Sequence, residues 1–262
     1  MTRPVARFSP FWSGLVLVTG LYLAFLVALL AATAAYTSPQ HLWAALDSRE
    51  IRYSIGLSLV TCTTSALLAL LLAVPVGYLL ARGRFLGKEW LDAALDIPIV
   101  LPPMVVGLCL LIFFQTPAGK MIESVIPFTY TVAGVVLAQF VIGAAFAVRT
   151  MRGVFDHLSS RPEDVAMTLG CSRGQAVWLV TLPAARRGMF AAFSIAWARS
   201  LGEFGPILVF AGATRMKTEV LPTSVFIELS VGRLEAAVAV SLLMVALALV
   251  VLVAVRLVGE KI

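Results

Sequence analysis

Side chains that could do chemistry are few in this 262-residue sequence. It has two histidines, His41 and His157, and three cysteines, Cys62, Cys109 and Cys171, none paired at a metal-ligand spacing. An odd cysteine count argues against a disulfide framework, and Cys62 and Cys109 lie in apolar runs where a thiol behaves as a small hydrophobe. A protease working within a membrane needs a serine with a histidine, an H-E-x-x-H zinc site or two facing aspartates. Here the histidines fall in loops on opposite faces of the topology derived below, and Asp92 and Asp96 share the start of one helix. No enzyme is expected. The chain also lacks G-x-x-x-x-G-K-[ST], so it cannot hold ATP in a phosphate loop of its own. One pair remains. Arg199 and Glu203 stand four apart inside an apolar stretch, on one helix face. Ionisable groups within a membrane are costly and face a bundle interior or a wet cavity. Either Arg199 shapes an anion path that Glu203 restrains, or the two form an ion pair that locks packing. The sequence leans to the second, because an unrestrained arginine would trap an anion rather than pass it. Gly202, Gly205 and Pro206 flank the pair and permit close helix approach and a bend.

The elements that must position these residues are membrane helices. The chain is 60% apolar and 13% charged, with mean hydropathy +0.97, against about 45–50% and about 25% for soluble domains. The composition predicts an all-α, polytopic membrane protein in which residues 1–262 form a single transmembrane domain. Apolar runs place six spans near residues 14–36, 51–80, 91–114, 130–148, 188–210 and 235–257. Ala32-Thr33-Ala34 has the form of a signal-peptidase site, but the run before it exceeds the roughly 7–15 residues of a signal sequence, so a retained helix is expected. Pro98, Pro102 and Pro103 predict a bent or partly unwound third span. The apolar stretch 220–229 predicts a short lid helix. Of twenty Lys and Arg, thirteen fall on the side of the termini, six on the other, and Arg199 lies within a span. Positive charge prefers the cytoplasm, so both termini are expected there. The net charge of +6 forms no stripe and implies no nucleic-acid partner. No internal repeat is visible, which favours a half-unit that dimerises over a two-halved transporter.

One long polar interval, residues 159–183, breaks the apolar pattern. Ser160 and Glu163 have capping-box spacing, and Pro162 falls where a missing N–H costs nothing. Gly170 can close that helix in a left-handed conformation. Ser172 and Gln175 repeat the capping spacing, and Pro183 is expected to limit the second helix. Helix, glycine elbow and helix, each of about two turns, are too short to cross a core of about 30 Å. Such a projecting element suits docking on another protein.

At this point a resemblance becomes specific. Asp164-Val165-Ala166, three residues, Gly170, nine residues, Val180, one residue and Leu182-Pro183 resembles the EAA loop of permease subunits of bacterial ABC importers. The family pattern is Glu-Ala-Ala, Gly, an aliphatic residue and Leu-Pro at these intervals. Asp164 stands for its Glu and Val165 for its first Ala. The resemblance implies a type I importer permease fold of six transmembrane helices, with a coupling helix seated in a cleft of the ATPase subunit. Glu163, Asp164, Val165, Ala166, Leu169, Gly170, Leu182 and Pro183 are its expected residues. It implies a second copy of this chain, two ATP-binding subunits carrying ATP and magnesium, an extracytoplasmic solute-binding protein, and residence in the cytoplasmic membrane of a prokaryote. No cofactor is expected on this chain itself. Residues 198–205 resemble a segment of permeases for molybdate, tungstate and sulfate, whose fifth helix lines the path, which assigns Arg199, Ser200, Glu203 and Gly205 to it. Residues 128–155 and the proline-rich third span share the likeness, which covers about 59–257. Phe204 looks more like the molybdate and tungstate members; sulfate permeases more often have Tyr there. The expected substrate is an oxyanion, molybdate first and tungstate next. The alternatives are a sulfate or thiosulfate permease and a secondary anion transporter working without an ATPase.

Overall fold

The computed structural model describes the backbone of residues 10–261 and the side chains of residues 11–253. All regular structure among the described residues is helical. In order the helices are α1 (Pro10–Ala35), α2 (Pro39–Asp47), α3 (Arg49–Arg82), α4 (Lys88–Val100), α5 (Pro103–Gln115), α6 (Pro117–Glu123), α7 (Val132–His157), α8 (Arg161–Thr168), α9 (Arg173–Ala176), α10 (Leu182–Leu201), α11 (Gly205–Phe210), α12 (Leu221–Ser230) and α13 (Leu234–Lys261). A π-helical turn, Val177–Thr181, joins α9 to α10.

The core is a bundle of α3, α7 and α10 built from small side chains. Ala66, Ala69 and Ala73 of α3 face Ala144, Ala147 and Met151 of α7 and Ala185, Ala192 and Ala196 of α10, all buried. Inside lipid no hydrophobic drive joins helices, so close packing of small residues must do it. At Gly77 a Cβ would stand 2.8 Å from the Met151 Cβ and 2.9 Å from the Arg152 nitrogen, so the α3–α7 crossing requires glycine. Two carboxylates one helical turn apart on α4 then clip it to α7: Asp96 pairs with Arg149 at 2.7 Å and Asp92 pairs with Arg152. A second cluster, at the opposite end from α8 and α9, stacks Phe114 against Phe210 and Phe128.

Among the described residues, four helices are individually long and apolar enough to span a membrane: α1, α3, α7 and α13. The other two expected spans are broken. The third is a pair, α4 and α5, bent by 111° rather than one kinked helix. Pro102 and Pro103 remove two donors, and Leu101, which precedes Pro102, is forced to extended backbone (φ −66°, ψ 140°). Thirteen residues each make helices of about 20 Å, short of a full crossing. The fifth begins at Leu182, not at 188, and carries Arg186, Arg187 and Arg199. It stops at Leu201, and a non-helical Gly202-Glu203-Phe204 separates it from α11, where one continuous helix to 210 was expected.

The expected lid is α12, and it is bound to the bundle. The Leu221 amide donates to the Ser58 hydroxyl at 2.9 Å, and the Ser224 hydroxyl donates to that of Ser54 at 3.0 Å.

Candidate functional site

The elbow forms from its own backbone. The Gly170 amide donates to the Met167 carbonyl and the Cys171 amide to the Ala166 carbonyl, each at 3.1 Å. That double closure needs a left-handed residue, and Gly170 has φ 97°. The next turn starts on a reciprocal cap: the Ser172 amide donates to the Gln175 side-chain carbonyl at 2.8 Å, and the Gln175 amide to the Ser172 hydroxyl at 3.4 Å. The second arm differs from its sequence reading. α9 is four residues long and runs through the π turn into α10, and Pro183 sits in the first turn of α10 instead of ending a helix.

The first capping box does not form. Ser160 is helical (φ −76°, ψ −16°) and its side chain caps nothing. Glu163 has turned inward and is only 6% exposed. The Tyr78 hydroxyl donates to Glu163 Oε1 at 2.5 Å, and the Thr181 hydroxyl donates to Oε2 at 3.0 Å. One carboxylate thus ties α8 to α3 and to the root of α10. Asp164, which the spacing had matched to the family's glutamate, is exposed. Arg82 Nη2 adds a further tie, donating to the Leu158 carbonyl at 2.5 Å where α7 ends. Ala166 is buried beneath the elbow, Leu182 is half-buried and Pro183 exposed. Val165, Leu169, Trp178 and Leu179 are 56%, 81%, 72% and 64% exposed. They give the otherwise polar projection an apolar rim, of the kind interaction surfaces carry.

Sequence reasoning missed Tyr78 and Thr181. The available signal was weak: a tyrosine near the end of an apolar run usually needs a partner for its hydroxyl.

At the other end of α10, Arg199 pairs with Glu203. The Glu203 side chain is 2% exposed and that of Arg199 is 39%. The guanidinium lies 5.1 Å from the centre of the Phe146 ring, and its Nε is buried without a partner. Ser200 is buried: its hydroxyl meets that of Ser65 at 3.2 Å and its carbonyl accepts from Gln139 Nε2, also at 3.2 Å. Gly205 is buried and opens α11. Of the four residues assigned to a path from sequence, Arg199 and Glu203 meet, with Glu203 reaching Arg199 from unwound backbone rather than from a shared helix, whereas Ser200 meets Ser65 and Gln139 and Gly205 stands against Met104. Removing Arg199 alone would leave the Glu203 carboxylate buried without its partner, at a cost of about 3–5 kcal/mol, whereas Arg199, 39% exposed, would be left partly solvated and cost less.

A third polar cluster gathers around α12, from the loop before it to the turn after it. Arg215 donates to Glu228 at 2.6 Å, and Arg233 stands 3.7 Å from the other Glu228 oxygen. Glu219 is fully buried and neither carboxylate oxygen has a hydrogen-bond partner. Burial pushes its carboxyl above the usual range; the nearby Ser224 hydroxyl and then Arg215 oppose this, while Glu228 and Glu50 add to it.

The geometry defines a class: a helical membrane component with a projecting, internally braced elbow whose second arm is continuous with a core helix. Residues 73–262 match the family model described as "Binding-protein-dependent transport system inner membrane component". The chain belongs to that family and is a multi-pass inner membrane transport component. It is 34% identical to the "Probable molybdenum ABC transporter permease protein" of Haloferax volcanii, over 94% of this chain and 90% of that one. It is 36% identical to the molybdenum transport system permease protein ModB of Mycobacterium tuberculosis, over 79% of each chain. With the sulfate transport system permease protein CysT of Escherichia coli it shares 30% identity, over 80% of this chain and 77% of that one. Its fold matches a chain of a bacterial alginate ABC transporter crystallised with an alginate pentasaccharide-bound periplasmic protein. The TM-score is 0.78 at 15% identity, covering 96% of this chain and 94% of that one.

Proposed function

We propose that this chain is the permease subunit of an ATP-driven importer for a tetrahedral oxyanion, molybdate foremost and tungstate next. Two copies form the pathway, two ATPase subunits bind the elbows, and an extracytoplasmic binding protein delivers the solute. Both termini and the elbow face the cytoplasm. The observation that carries this reading is the Glu163 brace. A carboxylate held by Tyr78 and Thr181 links the elbow to α3 and α10 at once, so a push on the apolar rim moves core helices rather than a slack loop. α10 then acts as a lever of about 30 Å with the elbow at one end and Arg199 at the other. Rocking such levers as rigid bodies is an established way to alternate access.

At the far end, Glu203 holds Arg199 so that one edge of its guanidinium stays accessible. The half-spent charge attracts an oxyanion without trapping it. The molybdenum permease relatives, at 34% and 36% identity, favour molybdate over sulfate, whose relative stands at 30%. Phe204, where sulfate permeases more often carry Tyr, points the same way. The test is reconstitution of this chain with its ATPase subunits and binding protein. Molybdate-loaded binding protein should stimulate ATP hydrolysis and uptake together. Equal stimulation by sulfate would move the assignment to the sulfate permeases, and uptake without ATP would reject the mechanism.

A further inference from the structure

A cavity of about 330 Å³ lies between the end of α3, the turn into α4 and the elbow. Arg82 and Arg84, Lys88 at the start of α4 and Arg173 at the start of α9 line it. None of these four cations is ion-paired with a carboxylate among the described residues, a state they share with Arg161, Arg186 and Arg187; what sets them apart is that all four line one cavity. Two carboxylates also line the cavity, but Glu163 is committed to Tyr78 and Thr181, and Asp164 pairs with none of the four. The lining therefore holds two more positive than negative charges. Arg82 and Lys88 are steadied by backbone carbonyls, Leu158 at 2.5 Å and Gly83 at 3.3 Å, which orient a cation without neutralising it. The Ser160 hydroxyl, unused as a cap, lines the same space.

Like charges gathered around so small a space repel one another, and a counter-charge between them removes that cost. Guanidinium forks suit an ion offering several oxygens in fixed directions. We propose that this cavity binds a tetrahedral oxyanion group, such as a phosphate or molybdate, which bridges the α3–α4 turn to the elbow and holds the elbow against α3. Two sources share this chemistry. One is a lipid phosphate, for which Leu86 and Trp90, 102% and 83% exposed on the adjoining turn, offer an apolar and aromatic flank. The other is free oxyanion on the same side of the membrane. The effect on the elbow rests on the functional reading above; the binding does not.

Cys171 sits in the elbow and is partly exposed; with the exposed Cys109 replaced by serine, its thiol reports elbow mobility. The complete complex is reconstituted in phosphatidylcholine vesicles, with or without phosphatidylglycerol, and maleimide labelling of Cys171 is followed as inorganic phosphate or molybdate is added. Labelling should slow severalfold. Slowing by added anion in phosphatidylcholine alone identifies free oxyanion as the occupant. Slowing by phosphatidylglycerol without added anion identifies an anionic lipid phosphate, since the phosphate of phosphatidylcholine is neutralised by its own choline. In either case the double substitution Arg84→Gln and Lys88→Gln should abolish the slowing. The charge-preserving pair Arg84→Lys and Lys88→Arg should retain it, which separates lost binding from lost folding. A complex that couples ATP hydrolysis to uptake yet shows no slowing with either source overturns the site and leaves the elbow reading standing. Slowing in a complex that never couples does the reverse. Slowing that survives in the neutral double variant also overturns the site.

Discussion

The Tyr78 hydroxyl and the Glu163 carboxylate meet at 2.5 Å across 85 positions of sequence, joining the longest core helix to the elbow. The Tyr78 ring is fixed in turn against Phe155 of α7, edge to face at 5.6 Å between centroids. A displacement of α8 is therefore felt by α3 and α7 together.

Tyr78→Phe removes that hydroxyl while keeping the ring. Glu163 keeps Thr181 but leaves one buried oxygen unpaired, a loss of about 1–3 kcal/mol. The protein should still insert and fold. In reconstituted complex, ATPase stimulation by loaded binding protein should fall severalfold while unstimulated hydrolysis holds. Full stimulation in the variant would remove Tyr78 from the coupling route.

At Gly170 space is open, since a Cβ there meets nothing within 4 Å, and only the positive φ resists substitution. Left-handed backbone costs a typical side chain about 1–2 kcal/mol, and Asn or Asp less. Coupled uptake should follow that order: Gly170→Asn mildest, Gly170→Asp impaired, Gly170→Val lost, with membrane insertion equal in all three. Equal uptake across the series would show that the elbow's handedness does not matter.

For Arg199 and Glu203, stability and transport should separate. Arg199→Ala strands a carboxylate that is 2% exposed and should lower the melting temperature markedly. Replacing both residues by Leu should restore melting, because a buried pair exchanged for apolar packing is often neutral or better. Uptake should stay lost in the double variant. Recovered uptake would reduce the pair to packing alone.

Glu219 predicts a pH dependence. It faces Arg215 on its own segment, Glu228 from α12 and Glu50 from α3, and burial raises its carboxyl. A raised carboxyl binds its proton more tightly when folded, so its stabilisation is complete below the ordinary Glu value of about 4.3 and is lost as pH rises through the raised value. Melting temperature should thus decline from acid toward neutral pH, and Glu219→Gln should flatten that decline. An unchanged slope in the variant would clear Glu219 of the effect.

Much of this architecture was legible in residue type and spacing. Gly170 announced its elbow, and Ser172 with Gln175 announced the second cap, because both are local backbone bargains settled within a few residues. Ser160 with Glu163 had the same local signature and failed, since Tyr78 and Thr181 offered Glu163 better partners from distant sequence. Burial decided between equal local choices. Likewise Pro102 and Pro103 signalled a bend, but its size, 111°, depends on what α5 packs against. Gly202, Gly205 and Pro206 signalled a bend in the fifth span, but not that the helix would stop over Gly202–Phe204, because the flanks are as apolar as a continuous span. Asp92 and Asp96 were read only as a failed catalytic pair; their partners on α7, Arg152 and Arg149, lie more than fifty positions away.

The most direct measurement is molybdate uptake into vesicles holding this chain with its binding protein, with and without the ATPase subunits and ATP. The account predicts uptake only when both ATPase and ATP are present, abolished by Gly170→Val and reduced by Tyr78→Phe. Uptake at the full rate without the ATPase, or unimpaired coupling in both variants, would contradict it.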